Sequence, residues 1–307
     1  MKPDQTVLIT GGAGFIGSHL VDSLVERVKR VVVLDKRKPG KEWKNAKAVY
    51  KVGDVRDAVL EETVRKYKPT TIFHLAAHVD DRESVHEPVM NADHNIMGSL
   101  HVFNAAKKYG VKKVVLASTG VVYGQQGAMP ITTDAPTHPM TPYAISKLTA
   151  ENYLRFYKSV YGFSFAALRL GNVYGPRQDG SVECGAIAIF SSRFLAGEQV
   201  YVNNDGKTTR DYVHVSDVVQ AFILAATSET SGVYNVGTGI GTDTLKLYEL
   251  VQDAVGVQSQ PNWRADIADE LKHVALDSTL TTKELGWTPK VTVEDGIEET
   301  VAWYRQS

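Results

Sequence analysis

The chain has little of what marks secreted or membrane proteins. It contains a single cysteine, Cys184, so no disulfide can form within the chain, which fits a reducing compartment. No apolar run approaches the roughly 20 residues that cross a bilayer, and the short stretch before Val7 leaves no room for a signal peptide. We therefore expect a cytoplasmic protein that does not enter a membrane.

An excess of charge of one sign is also missing. Lys and Arg together number 34 against 35 Asp and Glu, which gives a net charge of -1. Because a nucleic-acid surface needs a clear excess of Lys and Arg, we expect no nucleic-acid partner. The 307 residues are 43% hydrophobic, without an internal repeat or a low-complexity tract, which is enough for one large α/β domain or two coupled ones.

Apolar, β-branched runs alternate with helix-like stretches through the first part of the chain. The runs are apolar on both faces, which is typical of strands buried in a parallel sheet. Strands are predicted at 7–10, 31–34, 71–75, 114–118 and 165–170, and helices at 16–28, 59–67, 91–109 and 146–161. This alternation predicts an α/β fold with a doubly wound parallel (Rossmann) sheet.

The alternation breaks after about residue 175. Residues 176–206 are richer in glycine and polar residues, whereas 213–226 and 233–236 return to the earlier pattern. We predict that residues 1–175, with 207–240 returning to them, form the Rossmann domain. Residues 176–206 and 241–307 are expected to form a smaller interleaved C-terminal α/β lobe that binds the substrate.

A glycine-rich turn lies between the first predicted strand and the first predicted helix. Its glycines include Gly11, for the tight turn, Gly14, for close approach of the backbone to a pyrophosphate, and Gly17, for close packing of helix and strand. The N–H groups where the helix begins, at Phe15 and Ile16, are suited to bind phosphates. The motif predicts a dinucleotide-binding site.

Two acidic residues bear on which dinucleotide is bound. Asp35 ends the second strand and can accept hydrogen bonds from the adenosine ribose, and its charge would repel the 2′-phosphate of NADP. The basic run at 36–38 either favours the 2′-phosphate of NADP or is a solvated turn. We predict NAD. Asp54, after the third strand, is placed to bond the adenine amino group or to form an Asx turn.

Tyr143 and Lys147 are four residues apart, so on a helix they lie on one face. Tyrosine, with a pKa of about 10, is a poor base at neutral pH, but a neighbouring ammonium favours the phenolate. The strand predicted at 114–118, with Thr119 directly after it, precedes the pair. In a chain with a dinucleotide motif, this arrangement predicts a proton-transfer site.

Together these motifs resemble the extended short-chain dehydrogenase/reductase family, in the branch of nucleotide-sugar 4-epimerases. The resemblance runs over nearly the whole chain. Further matching segments are H-L-A-A-H at 74–78, N-x-x-G at 95–98, S-T-G-V-V-Y-G at 118–124, R-L-G-N-V-Y-G-P at 169–176, D-G-K-T-T-R-D-Y-V-H-V-x-D at 205–217, Y-N-V-G at 234–237 and L-G-W at 285–287.

The resemblance implies a role for each residue of the site. Tyr143 would remove the proton of the sugar 4-hydroxyl while hydride passes to NAD, Thr119 would bond that hydroxyl, and Lys147 would bind the nicotinamide ribose. The 4-keto sugar would then rotate and take the hydride back on its other face. The matching segments also imply cofactor contacts and substrate contacts. The cofactor contacts are Val55, Leu75, Ala76, Ala77 and Asn95, and the substrate contacts are Asn172 and Arg210 for the phosphates, Arg82 for a uronate carboxylate and Val274 in the sugar pocket.

Departures from the family pattern narrow the activity. Gly120-Val121 follows Thr119, where dehydratases carry Asp-Glu and decarboxylases a nearby Glu, so an epimerase is favoured. A reductase or dehydratase of the same family is the alternative, and a non-catalytic NAD-binding protein is a further one. Ile267 and Asp269 occupy the family's Arg and Gly positions before a matching Glu270, with Arg264 as a substitute for the arginine. The nucleotide therefore stays open, and the small Val274 favours an N-acetylated sugar.

Two expectations concern metals and partners. His74 and His78 are four apart, but His74 ends a strand, so the helical spacing of metal ligands does not apply and no metal is predicted. The helices at 91–109 and 146–161 form a homodimer bundle in relatives. The resemblance therefore implies a homodimer.

Overall fold

The structure is a computed structural model that describes residues 1–180, 185–265 and 271–306. The single cysteine, Cys184, and the residues at the departure from the family pattern, Ile267, Asp269 and Glu270, lie outside the described residues. The described strands are β1 Thr6–Thr10, β2 Arg30–Asp35, β3 Val49–Val52, β4 Thr71–His74, β5 Lys113–Thr119, β6 Ser164–Leu170, β7 Asn172–Tyr174, β8 Tyr201–Asn203, β9 Thr209–Arg210, β10 Tyr212–His214, β11 Gly232–Val236, β12 Thr242–Asp243 and β13 Asn262–Arg264. The helices are α1 Phe15–Val25, α2 Ala58–Tyr67, α3 Asp81–His86, α4 Pro88–Ala92, α5 Gly98–Lys108, α6 Pro142–Tyr161, α7 Ala186–Leu195, α8 Val215–Thr227, α9 Thr244–Val255, α10 Thr279–Leu285 and α11 Val293–Tyr304.

Seven strands form one parallel sheet in the order β3-β2-β1-β4-β5-β6-β11. The chain winds outward from β1 to β3 and then from β4 in the opposite direction. The strand order therefore reverses between β1 and β4, and open sheets of this kind bind ligands in the crevice at the carboxyl ends of such strands. The predicted Rossmann sheet is confirmed.

Helices cover both faces of this sheet. On one face α1 and α8 bury Leu20, Leu24 and Phe222 in the same cluster as the strands. On the other face α2, α5 and α6 bury side chains such as Phe103 and Leu154 in a second cluster. Both faces of the sheet are therefore removed from water, which accounts for strands that are apolar on both sides.

Two predicted helices differ from the observed ones. The helix predicted at 91–109 consists of α4, a π-helical turn over Asp93–Met97, and α5. The helix predicted to begin at residue 146 begins at Pro142, because Thr141 accepts a hydrogen bond from the N–H of Ala144 and proline suits the first helical position. Tyr143 therefore lies in the first turn of α6.

A smaller group of elements packs beyond the sheet. Helices α7, α9 and α11 share an apolar cluster with β8, which pairs with β13. Leu285 and Trp287, which the domain prediction gave to the lobe, pack instead in the cluster that contains Phe222 of α8. The division of the chain into a Rossmann domain and a substrate lobe stays a prediction. Among the described residues, the helices lack the length and apolar character that crossing a bilayer requires.

Candidate active site

Four of the predicted site segments meet at one edge of the sheet. The glycine-rich turn follows β1, Asp35 ends β2, Leu75 follows β4, and Thr119 ends β5. Because parallel strands present their carboxyl ends at the same edge, the fold brings these segments together.

The glycine-rich turn is shaped by contacts that exclude side chains. Gly11 has a φ of +75°, and a Cβ on it would lie 2.6 Å from the backbone N of Ala76. A Cβ on Gly17 would lie 2.2 Å from the carbonyl O of Gly11. Gly14 caps α1 without a side-chain hydrogen bond, and no acidic residue occupies the first turn, which begins at Phe15 and Ile16. The N–H groups of that turn are therefore suited to bind an anion such as a pyrophosphate.

Asp35 holds this turn against β2. Its Oδ2 accepts a hydrogen bond from Ala13 N at 3.0 Å, and its Oδ1 accepts one from Arg37 N at 2.9 Å. Each carboxylate oxygen has a further acceptor position, so Asp35 can also accept bonds from ribose hydroxyls. The guanidinium of Arg37 extends toward the turn, with Nη2 3.9 Å from where a Cβ of Gly14 would lie.

Asp54 is a fixed anion at the far side of the same crevice. Arg56 donates to both of its carboxylate oxygens, from Nε at 2.9 Å and from Nη2 at 2.7 Å. These bonds lower the pKa of Asp54 to about 2, so it stays ionised and able to accept a bond from an amino group. Val55 is buried among apolar side chains of the sheet.

The loop after β4 is held by Asn95, which lies in the π-helical turn. Its Nδ2 donates to the carbonyl O of His78 at 3.0 Å and to Oγ of Ser146 at 2.9 Å, and its Oδ1 accepts from His78 N at 2.7 Å. Asn95 is 2% exposed. Its polar groups are engaged within the protein, so it ties the loop that carries Ala76 and Ala77 to α6. The inserted residue of a π-helical turn is a common feature of functional sites.

His74 lies beneath this loop and is fully buried. Its Nδ1 bonds Oγ1 of Thr10 at 2.7 Å and its Nε2 bonds Oγ of Ser99 at 3.0 Å. Burial, with a smaller contribution from the charge of Lys147, lowers the pKa of His74 to about 3, so the ring is neutral. Within 1–180, 185–265 and 271–306, no group of three or more His, Cys, Asp or Glu side chains is placed to hold a metal.

Tyr143 and Lys147 lie one turn apart on α6, and the Lys147 Nζ is 5.9 Å from the centroid of the Tyr143 ring. Lys147 is buried, and its Nζ donates to the carbonyl O of Ala117 on β5 at 2.9 Å. Burial lowers the pKa of Lys147 to about 8, and the carboxylate of Glu151 opposes this shift. Thr119 stands two residues further along β5 and caps the turn Gly120–Tyr123. The structure therefore places the three predicted catalytic residues on two elements that are bonded to each other.

A buried ion pair below this site was not predicted from the sequence. Arg169 on β6 donates to Glu151 on α6 from Nε at 3.0 Å and from Nη2 at 2.7 Å, and Ser118 Oγ donates to Glu151 at 2.5 Å. Removing one partner of such a pair leaves an uncompensated buried charge and costs about 3–5 kcal/mol. The sequence signal was a glutamate four residues after Lys147, on the same helical face.

The predicted phosphate contacts lie on β7 and β9, which belong to two different two-stranded sheets, and Asp211 lies beside both strands. Asn172 begins β7, and its N donates to the carbonyl O of Asp211 at 2.7 Å. Arg210 ends β9, directly before Asp211, whose buried carboxylate accepts bonds from the N–H groups of Thr238 and Leu276. Asp211 thereby fixes the relative positions of Asn172 and Arg210.

Of the other residues that the sequence linked to the substrate, two arginines are exposed and Val274 is buried. Arg82 is exposed on α3, a short helix that packs against α6, where Ser84 Oγ accepts a bond from Tyr143 N. Val274 is 4% exposed and packs among Val122, Tyr123, Ile131 and Leu276, so it fills an apolar cluster next to the turn that follows Thr119. The guanidinium of Arg264 lies 3.7 Å from the centroid of the Tyr201 ring, in an exposed position.

Comparison with known proteins identifies the class. A sequence model of the NAD dependent epimerase/dehydratase family matches residues 7–237. The chain is 40% identical over 306 residues to the UDP-glucose 4-epimerase of Mycolicibacterium smegmatis, covering 97% of this chain and 98% of that one. The chain therefore belongs to the NAD-dependent epimerase/dehydratase family.

Solved structures give the branch within this family. The UDP-glucose 4-epimerase of Thermotoga maritima, in complex with UDP-glucose, superposes with a TM-score of 0.95 at 39% identity, covering 98% of this chain and 99% of that one. The UDP-glucose 4-epimerase of Thermus thermophilus, in complex with NAD, gives 0.91 at 38% identity, with 98% and 99% covered. The predicted nucleotide-sugar 4-epimerase branch, the enzyme class and NAD as cofactor are confirmed.

Proposed function

We propose that this enzyme interconverts the 4-epimers of a UDP-linked hexose, UDP-glucose and UDP-galactose or their N-acetylated or uronic-acid forms. The observation that carries the proposal is the pairing of Tyr143 and Lys147 beside Thr119, at the sheet edge that also carries the glycine-rich turn. Gly120-Val121, after Thr119, supplies no titratable group for expelling water, which favours epimerisation over dehydration.

The residues of the chain fit NAD. The N–H groups at Phe15 and Ile16 would hold the pyrophosphate, Asp35 the adenosine ribose and Asp54 the adenine amino group. Lys147 would hold the nicotinamide ribose. When bound, NAD supplies the acceptor and donor of the hydride.

The proton is moved by Tyr143. Lys147 stabilises its phenolate, because a neighbouring ammonium favours the ionised form of the phenol. Thr119 orients the sugar 4-hydroxyl toward the phenol oxygen, and Asn172 and Arg210 hold the diphosphate, for which the planar guanidinium is well shaped. The lobe formed by 176–206 and 241–307 would cover the sugar, with Val274 behind the pocket and Arg82 at its rim.

We also propose a homodimer, in the cytoplasm, formed through α5 and α6. Helix α6 exposes a stripe of large apolar side chains, with Ile145, Tyr153, Phe156 and Val160 between 38% and 55% exposed. Their spacing puts them on one helical face, and contiguous exposed apolar surface of this kind marks an interface. Light scattering should give twice the monomer mass, and Phe156→Asp should reduce it to one chain.

Purified protein tests the activity directly. Incubation with UDP-galactose, UDP-N-acetylgalactosamine or UDP-galacturonate, without added cofactor, should give the matching 4-epimer by NMR, and denaturation should release NAD. Tyr143→Phe should abolish turnover, whereas Tyr157→Phe, on the same helix but bonded to Asn104 at 2.7 Å, should not. A 4-keto-6-deoxy product, or stoichiometric oxidation of added NADPH, would replace this function with a dehydratase or a reductase.

A further inference from the structure

Two successive turns of α6 are bonded to two successive residues of β5. Lys147 donates to the carbonyl O of Ala117, and Glu151, one turn later, accepts from Ser118. The next residue of β5 is Thr119. The helix that carries Tyr143 and Lys147 is therefore fixed along the last residues of the strand that carries Thr119.

Glu151 also joins the neighbouring strand. Ser118 and Arg169 are register partners in the parallel pair of β5 and β6, and Glu151 accepts from both. Its carboxylate is 0% exposed, and the guanidinium of Arg169 lies 4.6 Å from the centroid of the Tyr123 ring, in the turn that follows Thr119. The carboxylate of Glu151 thus bonds two paired residues of the sheet, Ser118 and Arg169, and a charged acceptor with three hydrogen bonds has little freedom to move.

We propose that Glu151 is a positioning residue of the epimerase centre, which sets the end of β5 against α6 so that Thr119 meets Tyr143 and Lys147 at a single sugar carbon. The inference rests on the function proposed above. Glu151 touches neither substrate nor cofactor in this scheme, because it is enclosed by β5, β6 and α6, and it acts through Ser118 and Lys147.

The charge of Glu151 has a second effect, on Lys147. The charged and titratable groups that face Lys147 are Glu151 and Tyr143 on its own helix, His74 on β4, and Arg169 on β6 behind Glu151. His74 is neutral, and burial already lowers the pKa of Lys147 to about 8. Without the carboxylate, the ammonium would lose its proton at a lower pH, and the unpaired cation of Arg169 would act in the same direction.

Three variants test the proposal. Glu151→Gln removes the charge, Ser118→Ala removes one bond but keeps the ion pair, and the double variant Glu151→Gln/Arg169→Met removes both charges together, so that no buried charge is left unpaired. Tyr157→Phe is the matched control, because it removes one partly buried hydrogen bond from the same helix, away from β5. The measurements are KM, kcat and the pH profile of kcat, with kcat expressed per enzyme subunit that holds NAD.

For Glu151→Gln we expect kcat to fall roughly 10²-fold, the cost of misplacing reacting groups by about 1 Å, with KM nearly unchanged and the alkaline limb of kcat moved to lower pH. Ser118→Ala should lose roughly tenfold in kcat, and the pH at which kcat falls on the alkaline side should stay that of the wild type. The double variant should lose as much kcat as Glu151→Gln. Because it leaves no buried charge unpaired, it tests the positioning role of Glu151 even if Glu151→Gln does not fold.

The proposal is overturned if Ser118→Ala and the double variant keep the kcat of the wild type per bound NAD, or if Tyr157→Phe loses as much as they do. Activity of the unaltered enzyme separates this result from failure of the proposed function. An unaltered enzyme that holds NAD but epimerises no UDP-sugar refutes the function, whereas full activity in the variants refutes only the role of Glu151.

Discussion

Gly17→Ala is the sharpest test of the cofactor site, because helix propensity predicts that it stabilises the protein and steric contact predicts that it disrupts the glycine-rich turn. Gly17 lies within α1, where alanine is favoured over glycine by about 1 kcal/mol. Its Cβ, however, would lie 2.2 Å from the carbonyl O of Gly11 and 2.7 Å from Cα of Gly12. Both neighbours are backbone atoms, so a side-chain rotation cannot relieve the contact.

The magnitude follows from how far the turn must move. Restoring an ordinary van der Waals contact requires Gly11 and the start of α1 to separate by about 1 Å. Such a shift breaks the alignment of the N–H groups at Phe15 and Ile16 with a pyrophosphate, and a hydrogen bond to a charged group contributes about 1.5–3 kcal/mol. Loss of two such bonds should weaken NAD binding by roughly 10²- to 10⁴-fold.

The assay is the amount of NAD that copurifies and the affinity for added NAD, with unfolding followed by circular dichroism. Gly127→Ala is the matched control, since a Cβ there would meet nothing within 4 Å. We expect Gly17→Ala to lose its NAD and Gly127→Ala to keep it. An alanine variant at 17 that retains NAD with raised thermal stability would show that helix propensity outweighs the steric contact, and the reasoning on the turn would be refuted.

Three further predictions concern stability. The pKa of His74 is about 3 in the folded protein and near 6.5 in the unfolded chain, so its contribution to stability is present at neutral pH and is lost as the pH falls below 6.5. The loss is about 2 kcal/mol at pH 5. The free energy of unfolding of His74→Gln, measured with denaturant, should depend less steeply on pH, and an unchanged dependence would contradict this. Thr141→Ala removes the N-cap of α6 and should cost about 1 kcal/mol by thermal unfolding, against Thr149→Ala within the helix as control. Trp287→Ala should cost about 3–5 kcal/mol and unfold the sheet together with the C-terminal residues; loss of the C-terminal part alone would instead support the domain division at residue 241.

The parts of the fold that could be predicted are those set by short-range spacing. The glycine-rich turn needs only its own residues and the strand before it, and Tyr143 and Lys147 need only a helix to share a face. The doubly wound parallel sheet follows from the β-α alternation and the right-handed crossover between parallel strands. The start of α6 was wrong by four residues because the cap at Thr141 and the proline after it were given less weight than the apolar pattern.

The rest depends on contacts between elements, which a single sequence does not reveal. Asn95 matched the family pattern, and its contact with the cofactor stays a prediction. Its bonds to His78 and Ser146 were not predicted, because they depend on a π-helical turn whose extra residue rotates the side chain. The pairing of Glu151 with Arg169 requires both the register of β5 with β6 and the orientation of α6 above them.

These missed contacts share one physical feature, which is burial of polar side chains beneath the site. A buried carboxylate, amide or imidazole is costly unless every polar atom finds a partner, so each of them fixes the positions of several elements at once. The groups that touch the substrate need partial exposure and cannot bear this constraint themselves. Glu151, Asn95 and His74 are each at most 2% exposed, and they hold β5, the loop after β4, and β1 with β4. The geometry at Thr119 and Tyr143 is therefore determined one layer below the surface where the chemistry takes place.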